Sequence, residues 1–292
     1  MVQRLGHCAA ALPFIFLVTA APRAYAFCRT TTCAVQNAPP ECAVDPVSGC
    51  HVAGAPLFWE GGCTAYSVDR RGAPKLGLDY AGAADLVAGA FAAWPIVDCN
   101  PGFPNIAVTS FGATSCDKVE FNSRGPNANA VLFQEQSWSH DDAQLGLTTV
   151  SFDTKTGRLL GADIEVNLIE PDVTYEQARY ILTHEAGHFL GLAHSDDRSA
   201  VMWERYRNVE PVLTPDDIAA ICTAYPMTSE TAACNPEPPR GYAADCGGDV
   251  EGSCAVELGR TTAATTALIV LAFGIARSVR VRRRARRGSP AP

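Results

Sequence analysis

A chain of 292 residues that is 47% hydrophobic can bury one sizeable core with extensions, and it does not require two full domains. The formal net charge is −8, and because seven arginines crowd between Arg277 and Arg287, the rest of the chain sums to about −15. That balance excludes nucleic acid as a partner of the folded part.

In chain order, Arg4 precedes an apolar run from Cys8 to Ala21, and Ala24-Tyr25-Ala26 then supplies a small-x-small cleavage pattern. Residues 1–26 are therefore expected to be a signal peptide cut after Ala26. Pro13, Pro22 and the short run speak against the alternative, an uncleaved anchor. Eleven cysteines remain, at 28, 33, 42, 50, 63, 99, 116, 222, 234, 246 and 254, with no Cys-x-x-Cys pair among them. They read as disulfides of an exported protein, with one cysteine left over and the connectivity open.

The stretch from Phe27 to about Cys63 has five cysteines, four prolines and little apolar periodicity. Within it, residues 27–56 are expected to form a disulfide-stapled extension or the outer wrap of the domain. A strand follows at Thr64–Val68. Leu86, Val87, Ala90, Phe91 and Trp94 then fall at helical spacing over 83–94 and stop at Pro95. Strands are predicted at Asn105–Phe111 and Ala130–Phe133, and a hairpin from Leu147–Phe152 and Leu159–Leu168 around Asp153-Thr-Lys-Thr-Gly157. Thr174 and Gln177 form a capping-box pattern that opens a helix over 175–190, ended by Gly191. A last helix is predicted over 215–225, after Thr214. Trp59, Trp94 and Trp138 read as core, His51 and His140 as loop residues. Residues 227–259 read as a linker with one or two disulfides.

Three of the six histidines lie within His184-Glu-Ala-Gly-His188-Phe-Leu-Gly-Leu-Ala-His194. His184 and His188 are one helical turn apart, so both imidazoles leave one face and can hold one metal. Gly191 can take positive φ, letting the chain turn back and present His194 as third ligand. Three neutral imidazoles around zinc leave one tetrahedral position for water, the pattern of a catalytic site. Glu185 stands beside them as the candidate base. A purely structural reading of the three histidines leaves Gly191 and Glu185 unexplained.

These residues resemble the metzincin metallopeptidases, and within them the matrixin-like branch. Ser195 after the third histidine, Met202 eight residues beyond His194 in Ala-Val-Met, the Leu213-Thr-Pro-Asp216-Asp217-Ile218 helix and Ala90-Phe-Ala-Ala-Trp94 carry the resemblance. It implies an α+β catalytic domain over 57–226, with a twisted, mostly parallel mixed sheet, two helices above the cleft and a C-terminal helix below. It further implies one catalytic zinc and a protein or peptide substrate. Met202 would lie under the metal, which is compatible with an ordinary core methionine. Asp216 or Asp217 would brace the methionine turn, beside the simpler role of charge at a helix N-terminus. Trp203 and Tyr206 read equally as substrate pocket and as core. No Pro-Arg-Cys-Gly switch is present, and the loop around His140-Asp141-Asp142 lacks the histidines of a second zinc site. Calcium near Asp153 or Asp163 is compatible with the sequence but nothing in it supports one.

In the tail, residues 260–292, sixteen uncharged residues separate Arg260 from Arg277. Followed by the arginines, they resemble either a membrane anchor with its basic end inside or a bacterial surface-sorting tail processed at Cys254 by a sorting enzyme. The whole reads as an exported zinc endopeptidase, with a non-catalytic, zinc-stabilised surface binding protein as the alternative.

Overall fold

A computed structural model describes residues 26–33, 42–169, 173–227, 234–245 and 271–276. The rest of the expected signal peptide, Cys254 and the arginine cluster lie outside the described residues.

Strands β1 (Phe27–Arg29), β2 (Cys63–Asp69), β3 (Ala107–Thr114), β4 (Ala130–Gln134), β5 (Gln144–Phe152), β6 (Leu159–Asn167), β7 (Leu192–Ser195) and β8 (Leu271–Ala276) alternate with helices α1 (Tyr80–Ala92), α2 (Tyr175–Phe189) and α3 (Pro215–Ala224). The large sheet runs β3-β2-β4-β6-β5-β8. Its first four strands are mutually parallel, while β5 and β8 turn the far edge antiparallel. The expected mixed, mostly parallel sheet is found, and the fold is α+β of the metzincin type.

Alternation along β4 splits the apolar residues between two faces. Val131 and Phe133 enter the main core with Leu86, Phe91, Ile181 and Phe189 from the helices. Ala130 and Leu132 face a smaller cluster with Cys116 and Ala128. Tyr242 covers that second cluster, with its ring edge-on to Phe111 at 4.9 Å. Residues 234–245, expected as a disulfide-bearing linker, pack against the sheet, and Cys63–Cys234 staples them there. A period-2 strand buried on both faces gives no hint of what covers its second face.

The helix ends follow their caps. The Asp79 carboxylate accepts from the Gly82 amide, which starts α1 at Tyr80, three residues before the apolar periodicity begins. Full capping boxes at Thr174/Gln177 and Thr214/Asp217 open α2 and α3. Trp94 and Trp59 are buried and donate to the carbonyls of Thr183 and Phe189. Trp138 is not core: it is half-exposed in a loop, donates to the Asp141 carbonyl and packs edge-on to His140.

The N-terminal extension is an integral part of the fold. β1 pairs antiparallel with β7, the Thr30 amide donates to the Gly191 carbonyl, and Cys28–Cys50 and Cys33–Cys42 close the segment on itself. Cys99–Cys222 ties the loop after α1 to α3, and Cys116 is also disulfide-bonded. Among the described residues, no helix is long and apolar enough to cross a membrane. Residues 271–276, part of the apolar tail expected to anchor or sort the protein, form strand β8.

Candidate metal centre

Helix α2 buries eleven of its fifteen residues, among them His184, Glu185 and His188. Gly191, at φ +86°, breaks the helix, and a Cβ there would meet the Leu57 carbonyl oxygen at 2.6 Å. The chain reverses into β7 and brings His194 back, so one ligand atom from each of the three histidines lies within 4.8 Å of the others. Among the described residues this is the one such group of three or more potential ligands.

His184 Nδ1 lies 2.6 Å from the Val201 carbonyl oxygen, and His188 Nδ1 lies 2.9 Å from that of Leu192. A carbonyl only accepts, so both Nδ1 atoms carry the proton and both Nε2 atoms present lone pairs. Those two Nε2 atoms face each other at 3.0 Å. Burial resists protonation of the ligands, lowering His184 to about 3, with His194 adding to the effect, and His194 to about 4. His188 is lowered well below its ordinary value by burial and by both neighbours. Neutral imidazoles with converging lone pairs fit a zinc ion with one coordination position open.

Glu185 is fully buried, and the loss of water pushes its carboxyl up to about 8. Thr148 opposes this by donating its hydroxyl to Oε2 at 2.6 Å. Oε1 has no hydrogen-bond partner among the described residues. Gly146 of β5 makes room for this carboxylate, since a Cβ there would stand 2.9 Å from Oε1. A nearby cation draws the carboxyl back toward its ionised form. Neither Thr148 nor Gly146 carries a signal in the sequence, because their roles come from packing across β5 onto α2.

The two aspartates divide the support. Asp217 accepts from the amides of Val201, Met202 and Thr214, at 2.9, 3.0 and 2.8 Å. Asp216 accepts the Ser195 hydroxyl and the Ala26 amide, each at 2.6 Å. Met202 is buried, and a Cβ on Gly187 would collide with its sulfur, so helix and methionine turn are in close contact. Trp203 and Tyr206 are half-buried; Tyr206 stacks edge-on to Tyr180 at 5.2 Å and helps line a cavity of about 190 Å³ with Arg179 and Glu210. Trp203 does not line it. A cavity of about 380 Å³ between Trp59, Arg158 and Pro236 has no triad residue in its wall, so its size makes no case for chemistry there.

Asp153 and Asp163, the two calcium candidates, are occupied by backbone donors. Asp153 accepts from Lys155 and Thr156, and Asp163 from Ala130 and Glu120. His140 sits in a loop as expected, with Nε2 3.0 Å from Glu165. His51 Nδ1 lies 3.1 Å from the Cys42 carbonyl.

Three imidazoles at the broken end of a helix, two buried and one half-buried, with a carboxylate in the same turn, form a candidate metal centre on a metzincin-type fold. Residues 118–226 match the family model Matrixin, which makes this part of the chain matrixin-like. A probable matrix metalloproteinase of Invertebrate iridescent virus 3 is 33% identical over 90 residues, covering 28% of this chain and 25% of that protein. A metalloendoproteinase of Arabidopsis thaliana is 36% identical over 91 residues, covering 29% and 25%. Matrilysin of Homo sapiens is 44% identical over 55 residues, covering 18% and 21%. The matched stretches therefore span about a quarter or less of each relative.

Proposed function

We propose that the protein is an exported zinc endopeptidase, with His184, His188 and His194 holding the metal and Glu185 acting as base. The observation that carries this reading is the juxtaposition of three converging imidazoles with a buried carboxylate whose Oε1 has no hydrogen-bond partner among the described residues. A zinc ion bound there supplies Lewis acidity, polarising the scissile carbonyl and acidifying water. Glu185 takes the proton of the attacking water as the new C–O bond forms, then delivers it to the amine nitrogen as the C–N bond breaks. Thr148 fixes the Glu185 carboxylate from the side of Oε2. Asp217 holds the methionine turn whose Val201 carbonyl orients His184, and Asp216 holds Ser195 beside His194.

The outer edge of β5 runs beside Glu185, so an extended peptide adding as a strand there brings its backbone to the reacting groups. Trp203 and Tyr206, which follow the methionine turn, are the candidate residues of a pocket for a substrate side chain. Disulfides fit an oxidising compartment and hence export, with cleavage after Ala26. The binding-protein alternative has no use for Glu185, since a purely structural zinc site needs no uncommitted carboxylate.

The test pairs metal content with cleavage of a broad peptide library for the wild type and Glu185→Gln. Zinc content should be unchanged and cleavage should fall by about 10²–10⁴-fold. Unaltered cleavage would remove Glu185 from the mechanism, and a wild type loaded with zinc that cuts nothing would favour the binding-protein reading.

A further inference from the structure

The far edge of the sheet next to the metal centre is occupied. β8, residues 271–276, pairs antiparallel with β5, setting Val150 against Leu271, Thr149 against Ala272, Thr148 against Phe273, Leu147 against Gly274 and Gln144 against Ala276. β8 also lies against α2, the helix that carries His184, Glu185 and His188. The β5 residues it covers include Thr148, which holds the Glu185 carboxylate, and flank Gly146, which touches it.

A strand edge offers one row of N–H and C=O groups and can pair with one strand at a time. We propose that residues 271–276 are an intramolecular inhibitor, a strand that fills the β5 edge and keeps peptide substrates out until the tail is withdrawn. The proposal rests on the endopeptidase reading. It also accounts for a conflict in the tail: the sixteen uncharged residues 261–276, followed by an arginine cluster, fit an anchor or processed sorting segment, yet the structure spends six of them on a sheet. The two fates compete, because a segment in a bilayer cannot pair with β5 and one cut from the chain loses the tether that holds it there. Anchoring or processing of the tail then opens the cleft.

Reach is sufficient. The connection over 246–270 spans up to ~80 Å when extended. A tether of that order holds its end near a site at an effective concentration of about millimolar, enough for a weak strand pairing to lower apparent substrate affinity roughly tenfold.

The test uses the full chain and the double variant Ala272→Pro/Phe273→Pro. N–H groups of consecutive strand residues point to opposite sides, so one of the two prolines deletes a donor facing β5 whichever way the register falls. Three quantities are measured: zinc content, KM and kcat on a fluorogenic peptide, and amide exchange of residues 144–150. The expected result is equal zinc, faster exchange on β5, and a KM roughly tenfold lower at constant kcat. A synthetic peptide of residues 269–278, added to the variant, should restore the higher KM. Unchanged β5 exchange would show that the tail does not hold the edge and would overturn the proposal. Faster exchange with unchanged, measurable KM would overturn the inhibitory role while leaving the peptidase reading intact. Released exchange with both forms zinc-loaded and inactive would overturn the peptidase reading and the inhibition with it.

Discussion

Glu185 is a carboxylate placed where a carboxylate is least at ease, fully buried and with one oxygen unpartnered among the described residues, and Thr148 is the group that makes it tolerable. The hydroxyl favours the ionised form, so Thr148→Val, which keeps the shape and deletes the donor, raises the Glu185 pKa further. A base works only when ionised. Its activity is lost as pH falls through its pKa, so the acidic limb of kcat/KM should move to higher pH in Thr148→Val. At neutral pH the variant should lose about tenfold in rate, on the order of one hydrogen bond to a charged group, with zinc retained. A parallel drop at all pH values with no movement of the limb would show that Thr148 acts on something other than the base. His184, Glu185 and His188 can be picked out in the sequence because helical spacing sets them on one turn, and His194 because Gly191 marks where the chain turns back. Thr148 is not legible, since its partner lies 37 residues away on another element.

At the scale of elements, α2 and the methionine turn meet through an absent side chain. Gly187 leaves space that the Met202 sulfur and the Trp94 ring fill, and a Cβ would come within 2.8 Å of Trp94 Cζ2. Gly187→Ala adds one carbon to a closed site, an overpacking that costs about 1–3 kcal/mol even though alanine is the better helix former. Thermal unfolding with zinc present and with zinc chelated should show the loss in both; an alanine variant as stable as wild type would mean that the turn yields. Elements with local determinants were readable: α2 and α3 carry their capping boxes in sequence, and the β5–β6 hairpin carries its turn. β1 was not readable, because three residues in a cysteine- and proline-rich stretch become a strand only against β7.

The whole molecule is held by bonds that join distant parts. Cys63–Cys234 closes a separation of 171 residues and pins the segment that caps the second face of the sheet. Removing a native disulfide costs about 2–5 kcal/mol, and so long a loop belongs at the upper end. Cys63→Ser/Cys234→Ser should therefore melt roughly 10 °C lower with its zinc content at 25 °C unchanged, as differential scanning calorimetry and metal analysis can check. Disulfide chemistry was legible from composition; the pairing and the packing of Tyr242 were not, since both are properties of the closed chain. The pairing of β1 with β7 also has a temporal meaning. The strand bearing His194 is completed by residues 27–29 and held through Ser195 by Asp216, made nearly 190 residues later. During synthesis the earliest part of the domain must wait, unpaired, for the latest. Convergence of the three imidazoles therefore depends on contacts that close only after Asp216 has been made.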